Sequence, residues 1–324
     1  MFFRKKLKHI FPLCFFFISA VYAQNKTSNF NLTIEPFLSY GYGWQGETLY
    51  YSSGYKCSYL EWEEKNVISA GATIQGMIYN VGFSLGGEAG IPMRCGKMYD
   101  SDWIYTSAYP DGLKTTYSIS ENSLKAKYAA HVGIFYQFDI KNIISISPAM
   151  QADYTYTSFE ARNGYGWYGK AEHSQNKENV SYDSEYAAFY PKLYGIDLKR
   201  HTVNFWTGIS LAASFKQKVT IGTDFFIAPV SYCATLDHHL GKDGGYNTQT
   251  FIYSNFKTFK GTVYFLYKIH KLCTLKTDIA VRYGTTARGT AYSDYYGSMA
   301  ETRQQGSAHF FLASVRIGCK FKIK

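Results

Sequence analysis

The chain has 324 residues, of which 19% are aromatic, including 31 tyrosines, while only 7 are proline. Mean hydropathy is -0.24 and the formal net charge is +10, part of which sits in Arg4, Lys5, Lys6 and Lys8. No nucleic-acid motif accompanies that charge, so a nucleic-acid partner is not expected. The tyrosine-rich, proline-poor mix does not suit an ordinary soluble globule. It suits outer-membrane strands flanked by aromatic girdles.

The four N-terminal cations precede an apolar run from Ile10 to Val21 and then Val21-Tyr22-Ala23, a small-residue cleavage site. Residues 1–23 therefore read as a secretory signal peptide, with Gln24 as the mature start. The run is too short to span a bilayer as a helix. Cys14 lies inside it, not at the cleavage point, so no lipid anchor is expected. No later stretch is apolar for about 20 residues, so any crossing must be made by strands. With no internal repeat and no linker, residues 24–324 read as one all-β domain.

Period-2 alternation runs through the chain. Ile144, Ile146, Pro148 and Met150 alternate with Ser145, Ser147, Gln151 and Asp153, and Phe259, Gly261, Val263, Phe265 and Tyr267 with Lys260, Thr262, Tyr264 and Lys268. Leu275, Thr277, Ile279, Val281 and Tyr283 alternate with Lys276, Asp278, Ala280 and Arg282. In the last strand Phe311, Ala313, Val315, Ile317, Cys319 and Phe321 alternate with Ser314, Arg316, Gly318, Lys320 and Lys322. Apolar residues facing out and charged residues facing in is the pattern of a transmembrane barrel, since lipid has no use for the charges. Short connections are expected near residues 77–80, 141–142, 216–218 and 270–272. Long polar ones are expected near 50–56, 107–116, 164–183, 241–249 and 291–306. Short turns at one end and long loops at the other imply about ten antiparallel strands.

Two motifs carry chemistry. Asp100 and Asp102, within Met98-Tyr99-Asp100-Ser101-Asp102-Trp103, stand at i and i+2 and so share one face of a strand. Asp237 and His239 do the same in Asp237-His238-His239. A carboxylate pair opposite a carboxylate–imidazole pair is suited to activating water. The same residues also fit blander roles: a solvated rim, a weak cation site or a structural Asp–His hydrogen bond. His238 faces away from His239, so a zinc site is not expected, and no metal or cofactor is implied. Ser107 is the nearest candidate for a serine nucleophile. Cys57, Cys95, Cys233, Cys273 and Cys319 have no metal or disulfide spacing and read as isolated thiols. Inward residues are even-numbered before Pro229 (Lys218, Thr220, Asp224) and odd after it (Thr235, Asp237, His239). That change of parity requires a bulge near the proline.

The segment Gly96-Lys97-Met98-Tyr99-Asp100-Ser101-Asp102-Trp103, with Tyr109-Pro110-Asp111, Leu60-Glu61-Trp62, Phe159-x-Ala161-Arg162-x-Gly164 and Asp237-x-His239, resembles the omptin family of outer-membrane endopeptidases. The likeness extends over most of the mature chain. It implies a ten-stranded barrel in the outer membrane of a diderm bacterium, with the active site facing outward. It also implies a monomer that cleaves peptides or proteins at the cell surface. Asp100, Asp102, Asp237 and His239 would be catalytic, and Glu47, Met98 and Thr235 would contact substrate. Glu47, in Gly43-x-x-x-Glu47, matches a pocket acid for a basic side chain before the scissile bond. The family's second pocket acid is Thr235 here, which implies a weaker basic preference. The outward positions Ala152, Tyr154 and Tyr156 are neutral where omptins grip lipopolysaccharide, so dependence on that lipid is not expected. The rival class is a non-enzymatic barrel, an adhesin or narrow pore, on the same scaffold.

Overall fold

A strand with one apolar face in lipid must satisfy its backbone polar groups on both edges, which only a closed ladder achieves. The computed structural model describes residues 30–141, 143–170, 178–241, 245–295 and 297–323; the expected signal peptide lies outside them. Fourteen strands form one antiparallel sheet: β1 (Phe30–Tyr50), β2 (Lys56–Ile78), β3 (Val81–Gly90), β4 (Met93–Thr106), β5 (Tyr109–Tyr136), β6 (Phe138–Ile140), β7 (Ile144–Tyr168), β8 (Ala188–Leu193), β9 (Ile196–Phe215), β10 (Val219–His239), β11 (Tyr246–Ser254), β12 (Thr258–His270), β13 (Cys273–Ser293) and β14 (Ala300–Lys322). The sheet closes where β1 pairs with β14 along sixteen residues, from Thr33 opposite Lys322 to Tyr50 opposite Gln305.

The expected count of ten strands is thus corrected to fourteen among the described residues. Pairing breaks at Ile91-Pro92, so β3 and β4 lie end to end between β2 and β5. It breaks again at residues 255–257, so β11 and β12 lie end to end between β10 and β13. Two short strands, β6 and β8, add to the edges of β7. Counting turns in a sequence cannot detect a ladder that stops and restarts within one span. The long connection expected at 107–116 is also corrected: β4 runs to Thr106 and β5 starts at Tyr109, a tight hairpin.

The facing of the side chains follows the alternation. Leu38, Val263, Ile279 and Ile317 are 63%, 58%, 57% and 56% exposed on the outer wall. Outward tyrosines ring the barrel near one level, among them Tyr42, Tyr128, Tyr154, Tyr232, Tyr253 and Tyr283. Inside, charges form ion pairs in the lumen: Arg282 with Asp153 at 3.1 Å, Arg316 with its cross-strand neighbour Asp278 at 3.0 Å and Lys276 with Glu35 at 3.0 Å. The bulge required by parity is present. Ile227 opposes Thr207 but Val230 opposes Phe205, so Ala228 and Pro229 share one partner on β9.

A second bulge aims the other wall. The register of β4 against β5 shifts between Arg94 and Gly96, and Cys95 and Met98, three residues apart, are both buried inside. Gly96 adopts φ +125°, and a Cβ there would lie 2.6 Å from Glu63 Oε2. Only glycine meets both conditions.

Candidate active site

Beyond the tyrosine ring the lumen widens into a cleft of about 1120 Å³. Its walls are built from strands that stand far apart in the sheet: β4 is separated from β10 by β5, β7 and β9. The Gly96 bulge turns the even residues of β4 inward, so Met98, Asp100 and Asp102 line one wall. The Pro229 bulge turns the odd residues of β10 inward, so Asp237 and His239 line the other. Glu47, from β1, lies between them. Six of the seven residues singled out in the sequence line this one cleft. The seventh, Thr235, is buried at 4% exposure below it, opposite Arg200 of β9 and Thr250 of β11.

Beneath the acids one side of the barrel is filled by packed apolar side chains. Trp62 stacks on Phe159 with ring centroids 5.9 Å apart, and Leu60, Met98, Ala161 and Leu198 complete a buried cluster. The flanking motif residues Leu60, Trp62, Phe159 and Ala161 are therefore floor, not chemistry. Ser107 sits exposed in the β4–β5 hairpin, outside the cleft lining. His238 turns from the cleft and its Nδ1 lies 2.8 Å from Asn247 Oδ1.

Electrostatics acts in the same sense on the two walls. Burial and the neighbouring Asp102 push the Asp100 carboxyl well above the ordinary carboxylate range, against the pull of Lys170 and Lys114. Two carboxylates so placed cannot both ionise freely and titrate as a pair. Burial and the facing Glu47 carboxyl likewise raise Asp237, with Arg200 opposing. Arg200 Nη2 lies 3.1 Å from Glu47 Oε1, its Nη1 donates to Gln45 Oε1 at 2.8 Å, and Nη2 reaches the Gly46 carbonyl at 3.3 Å. Gln45 in turn donates to Glu64 Oε2 at 2.8 Å, and Glu64 is paired with Lys127. The acid read as awaiting a substrate cation thus has an internal one.

Several site residues escaped the sequence reading. Tyr246 on β11 stands directly opposite His239, and their rings stack at 4.3 Å. Burial and the charges of Asp100, Asp102 and Asp237 all raise the Tyr246 phenol, so its hydroxyl is within electrostatic reach of both walls. Tyr168 on β7 is raised by burial and by Asp100 and Asp102. On the rim, Lys56 lies 3.7 Å from the centroid of Trp103, a cation–π contact. The alternation Tyr246, Thr248, Thr250 was the available signal for Tyr246, which instead read as loop.

Fold and site together define an outer-membrane-type β-barrel with a carboxylate- and imidazole-lined cleft at one end. Among solved structures the chain is similar to the outer membrane protease OmpT from Escherichia coli, with a TM-score of 0.78 and 15% identity over 93% of this chain and 100% of that one. The omptin resemblance therefore holds at the level of the fold. The translocator domain of the autotransporter NalP from Neisseria meningitidis matches with a TM-score of 0.37 and 9% identity, over 97% of this chain and 95% of that one. That match is too loose to bear on this chain. No family model and no curated protein matches the sequence.

Proposed function

We propose that the protein is an outer-membrane endopeptidase that hydrolyses peptides in this cleft, facing outward, by activating water. The observation that carries the reading is the convergence of Asp100, Asp102, Asp237 and His239 on one cleft from two separate walls. The outer-membrane placement rests on the exposed apolar band and its tyrosine ring.

In the reaction, water held between His239 and the Asp100–Asp102 pair attacks the scissile carbonyl carbon while His239 takes its proton. Asp237 in its ionised form favours the imidazolium that results. The proton retained by the raised Asp100–Asp102 pair hydrogen-bonds the developing oxyanion. Collapse of the tetrahedral intermediate breaks the C–N bond, and His239 returns its proton to the leaving amine. No covalent acyl-enzyme forms. Ala152, Tyr154 and Tyr156 themselves carry no charge, and Tyr154 Oη hydrogen-bonds His201 Nδ1 at 2.9 Å, so activity is expected without lipopolysaccharide.

The test is a peptide-library cleavage assay on refolded protein. Asp100→Asn, Asp102→Asn, Asp237→Asn and His239→Ala should each lower turnover by about 10²-fold or more with the barrel intact. Serine-directed reagents and chelators should leave the wild type active. Full activity in His239→Ala would remove the mechanism.

A further inference from the structure

A carboxylate lining a cleft of peptide size is an obvious partner for a cationic side chain. Glu47 is such a carboxylate, and its own surroundings meet that role already. The Arg200 guanidinium lies against it at 3.1 Å, with the two side chains 4% and 8% exposed. Both Glu47 carboxylate oxygens are buried from solvent. Arg200 is itself fixed by Gln45 and the Gly46 carbonyl, and with Gln45 it lines a smaller cavity of about 160 Å³. The cross-strand neighbours of Glu47 are Leu60 and Ala308, both uncharged. A second cation arriving here would meet a like charge at a carboxylate that is already ion-paired, with Asp237 as the other acid facing Glu47.

We propose that Arg200 is a built-in counter-cation that closes the acidic subsite at Glu47. The cleft then accepts uncharged side chains there and turns away arginine and lysine. This inference names the substrate class and rests on the peptide-cleavage reading. Arg200 acts as a specificity-determining residue because its guanidinium, always charged, occupies the position a substrate cation would take. The position opposite it on β10 is Thr235; the nearby carboxylate, Asp237, acts on Arg200 as well, but it faces Glu47 and is assigned to His239.

Two readouts on refolded protein test it. In peptide profiling, the wild type should cleave after uncharged residues at least tenfold better than after Arg or Lys. Arg200→Gln, which keeps a donor for Gln45, should raise relative cleavage after Arg or Lys by about tenfold or more. Thr235→Asp needs no buried partner removed. It gives Arg200 a second carboxylate across the strand pair and should move the preference the same way, so a fold lost in Arg200→Gln does not end the test. The second readout is calorimetric binding of N-acetyl-arginine amide, which should be undetectable at millimolar concentration in the wild type and measurable in either variant. If no peptide is cleaved by any of the three, the endopeptidase reading falls and the binding readout alone decides the subsite. A wild type that prefers Arg or Lys and loses that preference in Glu47→Gln would overturn the inference, as would variants that gain neither cleavage nor binding.

Discussion

The imidazole of His239 lies flat against the ring of Tyr246, with centroids 4.3 Å apart and planes 4° apart. The two residues face each other across the β10–β11 ladder, so the stack is set by strand register and not by a flexible loop. A general base works only if its nitrogen is held toward the reacting water, and small misplacements are costly in rate. Tyr246→Ala should therefore lower kcat by about tenfold to a hundredfold with little change in KM. Tyr246→Phe keeps the stacking face and should recover most of the loss. Equal defects in the two variants would assign the role to the hydroxyl instead.

Asp100 connects activity to stability through its proton. Its carboxyl is raised in the folded protein by burial and by Asp102. The native state therefore holds a proton that the unfolded chain releases at lower pH, and stability falls as pH rises through that window. Asp100 is a cost at neutral pH that disappears below about pH 4, where the unfolded aspartate is protonated too. Asp100→Asn should unfold at higher urea concentration than the wild type at pH 7, and the two midpoints should converge near pH 4. A variant less stable than the wild type at pH 7 would contradict this account of the pair.

Trp62 is fully buried, stacked on Phe159 and directly beside Met98 on the next strand, so it supports the cleft floor. Trp62→Ala should cost about 3–5 kcal/mol of stability through the cavity it leaves. Because Met98 belongs to the same cluster and lines the cleft, the variant should also lose activity at temperatures where the barrel remains folded. Denaturant titration and cleavage assays on the same samples separate the two effects.

The non-enzymatic alternative makes a different demand on the lumen. A pore needs an open water path, whereas here Arg282, Asp153, Arg316, Asp278, Lys276 and Glu35 form ion pairs inside the lumen. Planar-bilayer recordings of the wild type should show no steady conductance. Discrete ohmic steps together with the absence of peptidase activity would favour the pore.

Much of the barrel was legible in the chain because the membrane imposes a rule with a period of two. Ile279, Val281 and Tyr283 face outward and Asp278 and Arg282 inward, as their alternation requires. The bulge at Ala228-Pro229 was legible for the same reason, since the inward parity changes between Asp224 and Asp237. The Asp100–Asp102 and Asp237–His239 pairs were visible because strand geometry puts residues two apart on one face.

What the chain alone left undecided depends on which strands lie beside or across from one another. Gln45 and Arg200 are 155 positions apart, and nothing local in either announces the hydrogen bond that brings Arg200 to Glu47. The breaks at Ile91-Pro92 and at residues 255–257, the parity change at Gly96 and the placement of Tyr246 opposite His239 are likewise facts of register. Periodicity determines the face on which a side chain lies. Closure of the barrel, which pairs β1 with β14 and sets the height of every strand, decides what that side chain meets.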